Sequence, residues 1–230
     1  MTEWPVGSRI VDLTLTLEHG MRGVAFETAS TVAEQGWNAR TLHLYSHGGT
    51  HMDAPLHFAV SEETIDRIPL PQCMGPAWVA DLPGLLPRAL ITVADLGEIA
   101  GKLAPGESLL LRTGWSRWVA DPVRYRDGLP RVSRELAEWC VARRVRILGV
   151  EPPSVADVND LQEVTAIHRI LLGGGVIIVE GLANLEALTG PKVFLAALPL
   201  KVAAGDGAPC RAFAVEGGAS PPAPRGCGAR

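Results

Sequence analysis

His47-Gly48-Gly49-Thr50-His51-Met52-Asp53-Ala54-Pro55-Leu56-His57-Phe58 is the stretch on which the reading of this chain turns. Three of the six histidines and an aspartate fall within it. Imidazole and carboxylate are ligands of zinc and related first-row ions, so a cluster of both, held by glycines and a proline, points to a metal site. His47 and His51 are four apart, as on one face of a helix, but Gly48, Gly49 and Pro55 disfavour a helix there. Pro55 also pushes Ala54 towards extended backbone. Alternation along an extended arm puts His51, Asp53, Pro55 and His57 on one side and Met52, Ala54, Leu56 and Phe58 on the other. The apolar side is expected to be buried and the polar side to face a cavity, with Gly48-Gly49 turning the chain so that His47 reaches the same point. His47, His51 and Asp53 are the expected metal ligands, and His57 is a further ligand or a proton carrier.

A second element lies far along the chain. Thr165-Ala166-Ile167-His168-Arg169-Ile170-Leu171-Leu172 reads as a helix that stops at Gly173-Gly174-Gly175. The apolar run Val176-Ile177-Ile178-Val179 then reads as a buried strand, with Glu180 at its carboxyl end, where sites in α/β sheets commonly lie. A buried Glu180 needs a cation, a hydrogen-bond donor or a metal beside it. Taken alone, His168 equally fits a surface histidine near a helix C-terminus, and Glu180 a strand-end carboxylate facing water.

Around these elements the pattern is mixed α/β. Strands are expected at Ile10 to Leu17, Thr41 to Tyr45, Trp78 to Leu82, Leu109 to Arg112 and Ile147 to Val150. Helices are expected at Ala94 to Leu103 and at Arg134 to Arg144, the latter capped by Ser133 with Leu136, Trp139 and Cys140 inward. Ile68-Pro69-Leu70-Pro71 marks a loop, and Arg143-Arg144 with Arg146 reads as a solvated helix end. Trp115 and Trp118 are read as packing residues.

At 230 residues, 47% hydrophobic and 20% charged, the chain suits one globular domain over 1–216, with a Gly/Pro/Ala-rich tail over 217–230 expected to be disordered. A net charge of −4 and the lack of a basic, aromatic-interleaved cluster argue against a nucleic-acid or anionic-membrane surface. Cys73, Cys140, Cys210 and Cys227 are widely spaced and read as reduced thiols. The opening Met1-Thr2-Glu3-Trp4-Pro5 is unlike a secretory signal, and no apolar run approaches the ~20 residues that cross a bilayer. A cytoplasmic location is expected.

The pattern H-x-G-T-H-x-D-x-P-x-H-F resembles the signature of the metal-dependent cyclase family, which includes bacterial kynurenine formamidases and isatin hydrolases. Similar stretches are Arg9 to Thr14, Leu110-Leu111-Arg112-Thr113-Gly114-Trp115, Gly149-Val150-Glu151-Pro152-Pro153-Ser154, His168 through Glu180-Gly181-Leu182, and Leu198-Pro199-Leu200-Lys201 through Pro209-Cys210-Arg211-Ala212, so the resemblance spans residues 9 to 216. It implies a swivelling β/β/α fold, one or two divalent ions with zinc first and manganese second, a small-molecule substrate, and a homo-oligomer. The first metal would take His47, His51 and Asp53, and the second Asp53, His168 and Glu180. His57 would be the general acid and base. The activity implied is hydrolysis of an amide of a small aromatic substrate, N-formylkynurenine or a cyclic amide such as isatin. The alternatives are a cyclase, lactonase or dehydratase using the same site, or a noncatalytic protein with a closed structural zinc shell. This chain departs from the formamidase pattern in having no tryptophan between Leu17 and Trp37, which leaves Phe26 as a candidate aromatic wall, and in having Glu151 where an aspartate is usual and Ala156 where another acid tends to stand. His19 and His43 match no ligand position and are read as structural or surface residues.

Overall fold

The computed structural model describes residues 7–217. The start of the chain, Cys227 and all of the expected tail beyond Gly217 lie outside the described residues. Along the chain, strand β1 (Arg9–Asp12) precedes a hairpin of β2 (Val24–Ser30) and β3 (Ala39–Leu44). Then come β4 (His51–Asp53), β5 (Met74–Asp81), β6 (Leu90–Ile91), β7 (Ser108–Arg112), β8 (Arg131–Val132), β9 (Ile147–Val150), β10 (Ile177–Glu180), β11 (Lys192–Pro199) and β12 (Gly207–Glu216). The helices are α1 (Val32–Gln35), α2 (Ile99–Lys102), α3 (Pro122–Asp127), α4 (Arg134–Ala142) and α5 (Leu161–Gly173).

The main sheet runs β1-β12-β11-β5-β7-β9-β10-β4, and β4 pairs back onto β12. Seven strands therefore close into a barrel, with β1 added beside β12. The short β4 is the closing strand: Asp53, Met52 and His51 face Ile178, Val179 and Glu180 of β10 on one side and Gly207, Ala208 and Pro209 of β12 on the other. Closure leaves β4 no free edge, so a three-residue strand is held by two ladders.

Alternation divides the apolar residues between two cores. Met52, Ala77, Leu110, Ile147, Val179, Leu195 and Ala212 fill the barrel. Leu109, Leu111, Leu148, Val150 and Ile178 point outward against Leu136, Ala137 and Cys140 of α4 and Ile167, Leu171 and Leu172 of α5. His51, Asp53 and Glu180 share the outward parity of Ile178, which delivers them to the face that α5 covers.

The expected helix at Arg134 holds, and the Ser133 side chain accepts a hydrogen bond from Leu136 N. The helix carrying His168 begins earlier than expected, at Leu161, because the Asp160 carboxylate caps it by accepting from Gln162 N and Glu163 N. Other expectations are corrected. The strand from Ile10 stops at Asp12, whose side chain accepts from Thr14 N and turns the chain, leaving Thr14 one isolated bridge to Leu182. Ala94 to Leu103 splits at Gly97, whose φ of 53° and ψ of −129° leave helical space. Arg143 and Arg146 are not a solvated end: they donate to backbone carbonyls of Ala100 and of Met74 and Pro71.

Candidate metal centre and cavity

The metal-motif segment is extended only through its first half. Ala54 is extended, as Pro55 requires, and Met52 and Ala54 are fully buried. Pro55–Phe58, however, winds into a 3-10 turn, for which proline at the first position is suited, so the single extended arm is corrected. His57 reaches the site from that turn rather than by strand alternation.

The side chains nonetheless converge. His51 and Asp53 come from β4, Glu180 from the adjacent β10, His168 from α5 packed above them, and His47 from the turn before β4. His51 Nε2 lies 3.2 Å from Glu180 Oε2 and 3.6 Å from Asp53 Oδ1, and His168 Nε2 lies 3.4 Å from Glu180 Oε1 and 3.6 Å from Asp53 Oδ2. All four residues are buried. His47 Nδ1 lies 2.9 Å from Asp53 Oδ1, and the His57 ring stacks on that of His47. Two groups, His47 with Asp53 and His57, and His51 with Asp53 and Glu180, each bring one donor atom per residue within 4.8 Å of the others. Asp53 is common to both.

The tautomers can be read from the other ring nitrogens. His51 Nδ1 is 3.0 Å from Gly49 O and His168 Nδ1 is 2.7 Å from Val164 O. A carbonyl only accepts, so Nδ1 carries the proton in both rings, and in the neutral imidazole Nε2 offers a lone pair. Each lone pair then faces carboxylate oxygens. His51 Nε2 and Asp53 Oδ2 are buried without a hydrogen-bond partner. Acceptors turned towards one another in a buried place call for a cation, and a ring whose other nitrogen donates to a backbone carbonyl is the usual arrangement of metal-binding histidines. The donor set therefore fits a divalent ion.

Without an ion, protons take its place. Burial lowers the pKa of His51 and His168, but the adjoining carboxylates of Glu180 and Asp53 outweigh burial and raise both. Burial would raise the pKa of Glu180, yet its two histidine partners hold it well below the usual carboxylate range. Burial likewise lowers His47, and Asp53 and then Asp206 overcome it, raising the pKa to about 9. His57 is the exception: burial and the charges of His47 and His168 keep its pKa lowered, against the pull of Asp53.

Asp206 was not among the expected site residues. Its Oδ2 lies 3.0 Å from His47 Nε2 and 3.7 Å from His57 Nδ1. An acid between Gly205 and Gly207, just before β12, was the available signal. Gly207 has its own reason: a Cβ there would stand 2.7 Å from His47 Cε1 and 2.8 Å from Met52 O.

His47, His57, His168 and Glu180 open onto a cavity of about 480 Å³ whose aromatic walls are Tyr45, Phe58 and Tyr125. Phe26 instead sits in the β2–β3 hairpin beside His19, whose Nδ1 accepts from Phe26 N, and His43 pairs with exposed Glu27. Glu151 is fully buried and accepts from Thr113 N, Thr113 Oγ1, Trp115 N and Ser116 Oγ, while the Tyr125 hydroxyl donates to its carbonyl. It thus fixes the turn that carries Trp115 into the core beside Leu15 and Tyr125.

A closed barrel with imidazoles and carboxylates gathered under such a cavity is the build of a metal-dependent hydrolase, and known proteins place the chain in that class. The profile of the family described as putative cyclase matches residues 11–157, more than half of the chain. The chain belongs to this cyclase family. A kynurenine formamidase of Erythrobacter litoralis is 31% identical over 221 residues, covering 93% of this chain and 96% of that protein. One from Salinibacter ruber is 33% identical over 179 residues, covering 78% and 80%. Among solved structures, an isatin hydrolase bound to thioisatinate shares the fold with a TM-score of 0.82 at 21% identity, covering 91% of this chain and 92% of that one. Isatin hydrolase A from Ralstonia solanacearum gives 0.80 at 26% identity, covering 90% and 92%. The mixed α/β fold expected from the resemblance is the one these relatives share.

Proposed function

We propose that this protein hydrolyses the carbon–nitrogen bond of a small aromatic amide, either an N-formyl arylamine such as N-formylkynurenine or a cyclic amide such as isatin. The observation that carries the reading is the buried meeting of His51 Nε2, His168 Nε2, Asp53 and Glu180 at the edge of an aromatic-walled cavity. The reading is further supported by formamidase relatives that match nearly the whole chain.

His47, His51 and Asp53 would hold one divalent ion, and Asp53, His168 and Glu180 a second, with zinc the first expectation and manganese the next. A bound divalent ion supplies hydroxide near neutral pH and polarises a carbonyl. The chain's own residues do the rest. His57, with a lowered pKa, is unprotonated near neutrality and can take a proton and return it to the leaving nitrogen. Tyr45, Phe58 and Tyr125 would enclose the aromatic ring and exclude water from the amide.

The test is an assay of metal-loaded protein on N-formylkynurenine and isatin, with elemental analysis of the same sample. Turnover of either, lost with a chelator and restored by zinc or manganese, is expected. No turnover at high enzyme concentration excludes these substrates, and full metal content in His51→Ala excludes the ligand set.

No helix among the described residues is long and apolar enough to cross a membrane. Cys73, Cys140 and Cys210 are buried free thiols, which supports a cytoplasmic setting. Trp37, Leu42 and Tyr45 are exposed on and beside the hairpin, which supports a homo-oligomer. Light scattering at micromolar concentration checks it, and a monomer overturns it.

A further inference from the structure

Apart from the histidines and Glu180, the charged residues lining the cavity are both cationic, Arg22 and Arg126. No other acid lines it. Arg126 stands on the short helix α3 and is held along one edge: its Nη1 donates to Asp127 Oδ1 at 2.7 Å and to Asn159 Oδ1 at 3.0 Å. Asn159 Nδ2 in turn donates to the same Asp127 oxygen, so the clamp is closed on itself. The Nε of Arg126 is buried and has no hydrogen-bond partner. A guanidinium presents donors in a rigid fork, and with only Nη1 engaged Arg126 keeps its remaining donors without a protein acceptor among the described residues. Arg22 lies in the turn before β2 and makes no ion pair or side-chain hydrogen bond among the described residues. Two cations thus line a largely apolar cavity: Arg126 has its one ion-pair partner, Asp127, at Nη1, and Arg22 has none among the described residues.

Resting on the amide-hydrolase reading, we propose that Arg126, with Arg22, forms an anion subsite that receives a carboxylate carried by the aromatic substrate at a position other than the scissile amide. The metal cluster takes the amide end, the aromatic walls take the ring, and the arginines read the charge. The reason for arginine is geometric, since a planar carboxylate can accept from a guanidinium edge at two points, and desolvation in the cavity strengthens the bond. The substrate class narrows from aromatic amides in general to anionic ones, and neutral aryl formamides become poorer substrates.

The experiment compares 2-, 3- and 4-formamidobenzoate with their methyl esters, using the metal-loaded full chain. For at least one isomer the acid-over-ester ratio of kcat/KM is expected to exceed about ten. Arg126→Gln should bring that ratio down by about tenfold, Arg22→Gln by less, and Arg126→Lys should retain part of it. A purely structural role for Arg126 lowers acid and ester together and leaves the ratio intact, which overturns the subsite, as does a wild-type ratio near one for all three isomers. If no formamidobenzoate is cleaved, acid or ester, the subsite is read instead by calorimetry with benzoate and benzamide, and the hydrolase reading fails only if N-formylkynurenine and isatin are left intact as well. Tighter binding of benzoate, with the margin lost in Arg126→Gln, supports it. Equal binding, or a margin that survives in Arg126→Gln, places the carboxylate elsewhere and overturns it.

Discussion

The imidazoles of His47 and His57 are stacked, their centroids 3.7 Å apart and their planes 23° apart, and both turn a nitrogen towards Asp206. One exposed-side carboxylate therefore orients a candidate ligand and the candidate proton carrier together. Asp206→Asn keeps the size of the side chain and removes its charge. Activity is expected to fall by about 10–100-fold, the range typical for partners of metal-binding histidines. Circular dichroism should be unchanged, and wild-type kcat in the variant refutes the orienting role.

The lone pairs of His51 and His168 and the carboxylates of Asp53 and Glu180 leave buried acceptors facing one another once an ion is removed. Chelation is therefore expected to lower the melting temperature as well as activity. Adding back an ion at 100 times its Kd should restore about 2.7 kcal/mol of stability. Thermal unfolding followed with and without chelator checks this, and identical curves exclude a metal bound at this cluster in the native state.

Glu216, the last residue of β12, gathers Thr189 N, Gly190 N and Arg9 Nη1 at its carboxylate. Burial raises its pKa, but the two backbone hydrogen bonds and Arg9 outweigh that and lower it. A carboxyl whose folded pKa is depressed stabilises the fold above its unfolded pKa, near 4.5, and that contribution disappears as pH falls through the folded value. Urea midpoints measured from neutrality downward should fall below that pH, and Glu216→Gln should be less stable at neutrality with a shallower acid slope. An unchanged slope in the variant assigns the acid sensitivity to other carboxylates.

The parts of the fold legible in the sequence are those set by local chemistry. Ser133 before Arg134 is a helix cap in either view, and Ile147 to Val150 is a strand because four apolar residues lie between Arg146 and the buried Glu151. The metal segment was half legible. Alternation describes His51 to Asp53, where two ladders hold the chain, and fails from Pro55, where no neighbour pairs with it. Asp206 was hidden for a different reason: its partner His47 is 159 residues away, and only barrel closure by β12 onto β4 brings them together. The meeting of Glu180 with His51 has the same origin, since register across a non-local ladder is not written in either strand alone.

Gly207 ties closure of the barrel to the site, and its substitution tests that tie. It pairs with Asp53 across the β12–β4 ladder, and the His47 ring lies against it where any side chain would stand. In Gly207→Ala the new Cβ would meet both His47 and the backbone carbonyl of Met52 at less than 3 Å. The carbonyl is fixed by its ladder, so the imidazole must move, or the ladder must open. Overpacking of this kind costs about 1–3 kcal/mol, a drop of several degrees in melting temperature for a domain of this size. If the ring gives way, metal content and activity fall while β4 stays paired; if the ladder gives way, amide exchange at Met52 and Asp53 accelerates as well. Metal analysis with hydrogen exchange on the one variant separates the two. Wild-type stability and activity in Gly207→Ala would show that the close packing of His47 on β12 is dispensable.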